Sequence, residues 1–299
     1  MQRWTDIHFT SRDGLRLYAR HYPVPGAWRR PLVCLAGLTR NSRDFHDLAS
    51  ALATPDEQGR NVYALDYRGR GRSQHDPNWR NYSILIELND VLDFLIVKGL
   101  HHAAVIGTSR GGILAMLMAV LRPSSVGAVV LNDIGPVIER DGLTRIAAFV
   151  GRVPLPADWA EATQIIRDLN HRQFPAVPEA QWGELARQYF NDDNGLPSAA
   201  YDPALAKSLA QMTEAIPELW SQFTALTPVP VLALRGELSD ILSTATLKDM
   251  RQRHPRLETA IISGQGHAPL LKDEASIRIV AEFLQRTDAD ARRHPAVAA

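Results

Sequence analysis

Apolar positions along this chain fall into two alternating patterns. Short runs at residues 5–10, 15–22, 31–35, 61–65, 103–106, 126–131, 229–235 and 258–262, the last six rich in Val, Ile, Leu and Ala, are too short for helices, so each is expected to be a strand. The first two flank Ser11-Arg12-Asp13-Gly14, whose Asp-Gly pair signals a hairpin at a sheet edge. Between the later runs the apolar period changes. Ile84, Leu88, Val91, Leu92 and Leu95 recur at helical spacing, predicting an amphipathic helix over 83–98. Further helices are expected over 43–53, 113–120, 244–253 and 273–284. Strands alternating with helices require a mostly parallel sheet with helices on both faces.

The alternation breaks between residues 136 and 227, where no convincing strand appears and helix-like stretches are separated by prolines. Asp202-Pro203 reads as an N-cap followed by proline at the first helical position. Trp159, Trp182 and Trp220, half of the tryptophans, lie here with Phe149, Phe174, Tyr189, Phe190 and Phe223. This segment is expected to be a helical insertion over the sheet, its aromatics either lining a pocket or forming their own core. The organisation is then a core of 1–135 and 228–287, a cap of 136–227, and a loose tail of 288–299.

The segment 103–120 changes the picture from architecture to chemistry. A strand runs into an apolar helix through Gly107-Thr108-Ser109-Arg110-Gly111. Glycines on either side allow the sharp corner, and the corner lifts Ser109 clear of the sheet. A serine is a weak nucleophile until a base removes its proton, and that base must itself be oriented. Of ten histidines, His267 alone follows an expected strand inside a Gly-rich loop, Ser263-Gly264-Gln265-Gly266-His267-Ala268-Pro269. Two aspartates can orient it, because parallel strands deliver their C-terminal loops to one edge. Asp240, in Arg235-Gly236-Glu237-Leu238-Ser239-Asp240, is the favoured acid; Asp133, in Asn132-Asp133-Ile134-Gly135-Pro136, is the alternative. Glu237 trails both as a residue expected to cap or pair.

Nucleophile, acid and base in that order, with the first hairpin, the loop at Ala36-Gly37, the stretch Asp66-Tyr67-Arg68-Gly69-Arg70-Gly71-Arg72-Ser73 and the helical insertion, resemble the α/β-hydrolase fold in its capped, esterase-like form. The resemblance spans nearly the whole chain. It implies an eight-stranded, mostly parallel sheet and an oxyanion hole made by the backbone N–H groups of Leu38 and Arg110. The loop usually begins His-Gly; here it begins Ala36-Gly37. Relatives whose apex residue is aspartate form alkyl-enzyme esters, so Ser109 implies acyl transfer instead. The expected activity is hydrolysis of small to medium carboxylic esters. Hydrolysis of a carbon–carbon bond or lactone by the same triad is the alternative enzymatic reading, and ligand binding without turnover the non-enzymatic one.

Composition narrows the partners. Thirty-three basic residues balance thirty-three acidic ones, so no overall field favours nucleic acid or an anionic membrane, and a small-molecule partner is expected. Cys34 is the sole cysteine, which excludes an intrachain disulfide. No metal-ligand spacing appears, and Gly69-Arg70-Gly71 lacks the third glycine of a dinucleotide fingerprint, so neither metal nor cofactor is expected. Arg68, Arg70 and Arg72 are expected to be a solvated or salt-bridged loop. Arg40 and Arg43 follow the Ala36-Gly37 loop, where Arg40 could meet a substrate carboxylate or simply pair with Asp44 or Asp47; Trp159 and Trp182 are candidate substrate contacts. With no basic start followed by an apolar stretch, and no apolar run near the ~20 residues of a membrane span, a cytoplasmic location is expected.

Overall fold

A computed structural model describes residues 3–54, 59–213 and 217–293. The chain opens with β1 (Thr5–Thr10) and β2 (Arg16–Tyr22), which pair antiparallel through the expected turn. Then follow β3 (Leu32–Leu35), α1 (His46–Leu52), β4 (Val62–Asp66), α2 (Ile84–Lys98), β5 (Ala103–Thr108), α3 (Arg110–Leu121) and β6 (Val126–Asn132). The segment after β6 carries α4 (Arg140–Phe149), α5 (Trp159–Asn170), α6 (Trp182–Tyr189), β7 (Phe190–Asp193), β8 (Leu196–Ala199), α7 (Leu205–Thr213) and α8 (Trp220–Thr224). The chain returns to the sheet with β9 (Val231–Gly236), α9 (Thr244–Arg253), β10 (Leu257–Ile262) and α10 (Glu274–Arg293).

Eight strands form one sheet in the order β1-β2-β4-β3-β5-β6-β9-β10. From β4 to β10 all neighbours are parallel; β2 joins β4 antiparallel. The unbroken apolar runs are explained by burial on both faces. Successive residues alternate between two cores: Val33, Leu35, Val105, Val129, Leu131 and Val231 face α2, α3, α8 and α9, whereas Leu32, Cys34, Ile106, Val130, Leu232 and Leu234 face α1 and α10. Cys34 is fully buried, and burial pushes its thiol well above the ordinary range. Among the described residues no helix is long and apolar enough to cross a membrane.

Three expectations for the chain's secondary structure and tail differ from the structure. The first is the hairpin β7–β8, where no strand was expected. Its turn, Asn194-Gly195, has positive φ at both residues, 53° and 89°, as a type I′ turn needs; the flanking Asp192-Asp193 and Pro197-Ser198 hide the strands. The second is the tail. Residues 288–293 continue α10, and Asp288 is buried against Arg60 Nη2 at 2.8 Å, with Arg29 Nη1 at 3.5 Å; residues 294–299 lie outside the described ones. The third is the start of α7. Asp202 Oδ1 accepts from Ala204 N at 2.8 Å in a turn that precedes the helix, so Pro203 sits in that turn rather than at the first helical position.

The Arg60–Asp288 pair carries a stability prediction. Both side chains are nearly inaccessible, at 1% and 3% exposure, so Asp288→Asn leaves a buried guanidinium without its carboxylate. Loss of one partner of a buried pair costs about 3 kcal/mol or more, roughly 8 °C of melting temperature for a chain of this size. Thermal unfolding followed by circular dichroism checks this; an unchanged midpoint would show that α10 is anchored by its apolar face alone.

Candidate active site

Ser109 sits between β5 and α3 with φ 52° and ψ −115°, a conformation rarely held by a non-glycine residue. The sequence dictates the corner through its glycines. A Cβ on Gly111 would stand 2.1 Å from the Leu35 carbonyl oxygen, and one on Gly107 would stand 2.4 Å from the Gly111 backbone. Only glycine lets β5, β3 and the first turn of α3 approach so closely. Ser109 precedes α3 without capping it through its side chain; its Oγ instead lies 3.0 Å from His267 Nε2.

His267 lies in the loop between β10 and α10, and its backbone N–H donates to Gln173 Oε1 at 3.0 Å. Its Nδ1 is 2.8 Å from Asp133 Oδ2. A carboxylate only accepts, so Nδ1 carries the proton and Nε2 is free to accept from Ser109. Asp133 follows β6, has φ 56° and is fully buried. Its Oδ1 accepts from Gly236 N at 2.8 Å and its Oδ2 accepts from Ser239 Oγ at 2.6 Å.

This corrects the expectation for the acid: Asp133, not Asp240, is hydrogen-bonded to His267. Asp240 instead makes a two-pronged pair with Arg145 of α4, at 2.6 and 2.8 Å. Burial acts to push the Asp240 carboxyl up, but Arg145 outweighs it and holds that carboxyl below its ordinary range. Ser239, adjacent to Asp240, supplies a hydroxyl to Asp133 rather than acting through its neighbour. Glu237 accepts from Ser263 Oγ and Gly264 N, closing the loop that leads to His267.

Leu38, Ser109 and His267 line one cavity of about 220 Å³, with Asn132, Ile146, Phe149, Ile166, Phe174, Tyr189 and Phe190 among its walls. The Ala36-Gly37 loop crosses directly above the serine, since a Cβ on Gly37 would lie 3.9 Å from Ser109 Cβ. Arg110 is the first residue of α3, and N–H groups at a helix start point out of its end. Arg40 also borders the cavity, but it is paired with Asp44 and stacked 3.3 Å above the Tyr189 ring. Arg43 donates to Asn191 Oδ1 and Gln188 O.

Trp159 and Trp182 do not line the cavity, contrary to expectation. Trp182 is buried with Ile166, Phe174 and Leu185 in a core that α5 and α6 build between them, and Trp159 packs at its edge with its Nε1 donating to Gly195 O. Aromatic content alone could not separate lining from core. Gln173, which holds the His267 loop, carried no sequence signal. Of the three arginines beside Gly69 and Gly71, Arg68 and Arg70 are buried in ion pairs and only Arg72 is half exposed.

Comparison with known proteins bears on the fold and the family. Over 286 residues the chain is 32% identical to a 3-hydroxybutyrate-oligomer hydrolase of Cupriavidus necator, covering 93% of this chain and 96% of that one. It is 25% identical over 250 residues to a 2-(acetamidomethylene)succinate hydrolase of Mesorhizobium japonicum, covering 83% and 85%. The crystal structure of an α/β hydrolase from Novosphingobium aromaticivorans superposes with a TM-score of 0.88 at 36% identity, over 96% of this chain and 99% of that one. The model of the alpha/beta hydrolase family matches residues 32–282, most of the chain, and with the sheet order and the serine corner already described it makes this protein a member of that family.

Proposed function

We propose that this protein is a serine hydrolase that cleaves carboxylic esters through an acyl-enzyme intermediate, with α4, α5, α6 and the β7–β8 hairpin as a lid over the site, while α8 at the end of the expected insertion packs into the main core. One observation carries the reading: Ser109 Oγ, His267 and the buried Asp133 form an unbroken hydrogen-bonded chain at the wall of an apolar cavity. His267 Nε2 takes the Ser109 proton as Oγ attacks the ester carbonyl. The oxyanion is received by the N–H groups of Leu38 and Arg110, each donor contributing roughly 3 kcal/mol to the transition state. Collapse breaks the bond to the alcohol, which leaves with the proton from His267. Water then gives a proton to His267 and attacks the acyl carbon, and the acid departs as Ser109 is restored. Asp133 holds the imidazole in the productive tautomer and stabilises its charged form.

For the substrate, the relative from Cupriavidus necator supports an oligoester of a short hydroxy acid. Such a chain alternates apolar carbons with ester groups. In support, the cavity has aliphatic and aromatic walls interrupted by polar residues, among them Asn132, Gln188, Arg40 and Arg145.

A fluorophosphonate probe is expected to add its mass to the peptide containing Ser109 and to no other. The same protein should release p-nitrophenol from acetate and butyrate esters and free acid from 3-hydroxybutyrate dimers and trimers. An unlabelled Ser109 together with no release from any ester would sink the reading. Turnover of a vinylogous diketone or a lactone in that case would identify the same residues as acting on a different bond, and a ligand that raises the melting temperature but is recovered unchanged would identify a binding protein.

A further inference from the structure

The loop that carries Leu38 lacks its usual histidine, so other groups must hold it. Its carbonyl oxygens show which. Ala36 O accepts from the Tyr67 hydroxyl at 3.1 Å, Gly37 O from Arg40 N at 3.1 Å, and Leu38 O from Arg70 Nε at 2.8 Å. Arg70 is itself fully buried between the rings of Tyr67 and Tyr82, 5.7 and 5.5 Å from their centres. Its Nη1 donates to the Arg68 carbonyl at 2.7 Å and to Glu87 Oε1 at 2.6 Å. The other oxygen of Glu87 accepts from Arg110 Nε at 2.5 Å. Glu87 lies on α2, is fully buried, and borders neither the cavity nor the Ser109–His267–Asp133 chain.

We propose that Glu87 is a positioning residue that sets the separation of the two oxyanion donors, holding the Leu38 segment through Arg70 and the Arg110 segment directly. The inference rests on the Ser109 reading above. A single carboxylate is bonded to one residue that supplies a donor N–H and to the arginine that pins the other. Oxyanion donors act only within a few tenths of an ångström of their ideal distance, and a 1 Å displacement costs on the order of 100-fold in rate. Directional, charge-assisted bonds resist such displacement better than an apolar contact, which can slide. They also require three charges to be buried, which does not favour stability over a well-packed apolar cluster. Burial opposes ionisation of Glu87, and the two guanidiniums overcome it and hold its carboxyl below the ordinary range.

A pure charge effect would act in the opposite direction. Neutralising Glu87 leaves two guanidiniums behind the hole, which would favour an oxyanion and raise the rate. The test is kcat per active site for Glu87→Gln on p-nitrophenyl butyrate, with sites counted by complete fluorophosphonate labelling. We expect kcat to fall about 30-fold with KM within twofold, a parallel loss of affinity for a boronic acid that mimics the tetrahedral intermediate, and an unchanged pH profile because His267 and Asp133 are untouched. Glu87→Asp keeps the charge but shortens the arm, so it serves if Glu87→Gln does not fold, and its kcat should also fall. A kcat within threefold of the parent for a folded variant, a kcat that rises, or a loss confined to KM overturns the proposal. Ser109→Ala in the same assay separates the two readings. If it is inactive while the Glu87 variants match the parent, only the positioning role fails; if it stays fully active, both fail.

Discussion

Asp133→Asn is expected to lower kcat by about 10⁴-fold, whereas Asp240→Asn is expected to change it by less than about threefold. The larger effect follows from the hydrogen-bond inventory. Asp133 accepts from Gly236 N, Ser239 Oγ and His267 Nδ1 and needs no donor. Asparagine keeps the shape and one accepting oxygen. If that oxygen stays on Gly236 N, its amide faces His267 and Ser239 with hydrogens. His267 then keeps an unprotonated Nδ1 to accept from the amide and carries its proton on Nε2, where it can no longer receive one from Ser109; wrong-tautomer triads lose about this factor. Asp240 bonds Arg145, and both partners are partly exposed at 25% and 32%. Its loss costs no more than about 1 kcal/mol of stability. Measuring kcat/KM on p-nitrophenyl butyrate for both variants, matched by circular dichroism, ranks them; the reverse ranking would return the acid's role to Asp240.

That pair of aspartates marks where the sequence stopped being decisive. The strands were legible because burial on both faces demands apolar runs with no other explanation, and the serine corner because a Cβ on Gly111 would meet the Leu35 carbonyl. Choosing between Asp133 and Asp240 depended on facts with no local signature. One is the positive φ that turns Asp133 toward His267. The other is the arrival of Arg145 from a helix ninety-five positions away in sequence to occupy Asp240. Arg70 and Glu87 were hidden for a similar reason: seventeen positions separate them, and a charged loop reads as solvated until its partner helix is seen to bury it. The β7–β8 hairpin is the contrary case, since Asn194-Gly195 is a strong turn signal that the polar strands around it obscured. The packing of Trp182 into its own core, away from the cavity, depends on how α5 and α6 fold together, which no count of aromatics contains.

Ser109→Ala and His267→Ala should each lower kcat by roughly 10⁶-fold, and the double variant should be no slower than either. The reasoning is that the two side chains share one event. In the proposed mechanism Nε2, 3.0 Å from Oγ, removes the very proton that keeps Oγ from attacking, so either change alone would abolish nucleophilic attack and the second would have nothing left to remove. Residual hydrolysis, on the order of 10³-fold above water, would then come from the cavity and the backbone donors at Leu38 and Arg110 acting on a water molecule. Losses that add between the single variants would mean that Ser109 and His267 act in separate steps. Because the residual rate depends on the donors and not on the serine, Glu87→Gln introduced into Ser109→Ala should lower it further by the same factor as in the parent protein. A positioning carboxylate acts on the hole whether or not the nucleophile is present, whereas a group that served only to activate Ser109 would have no further effect once that oxygen is gone.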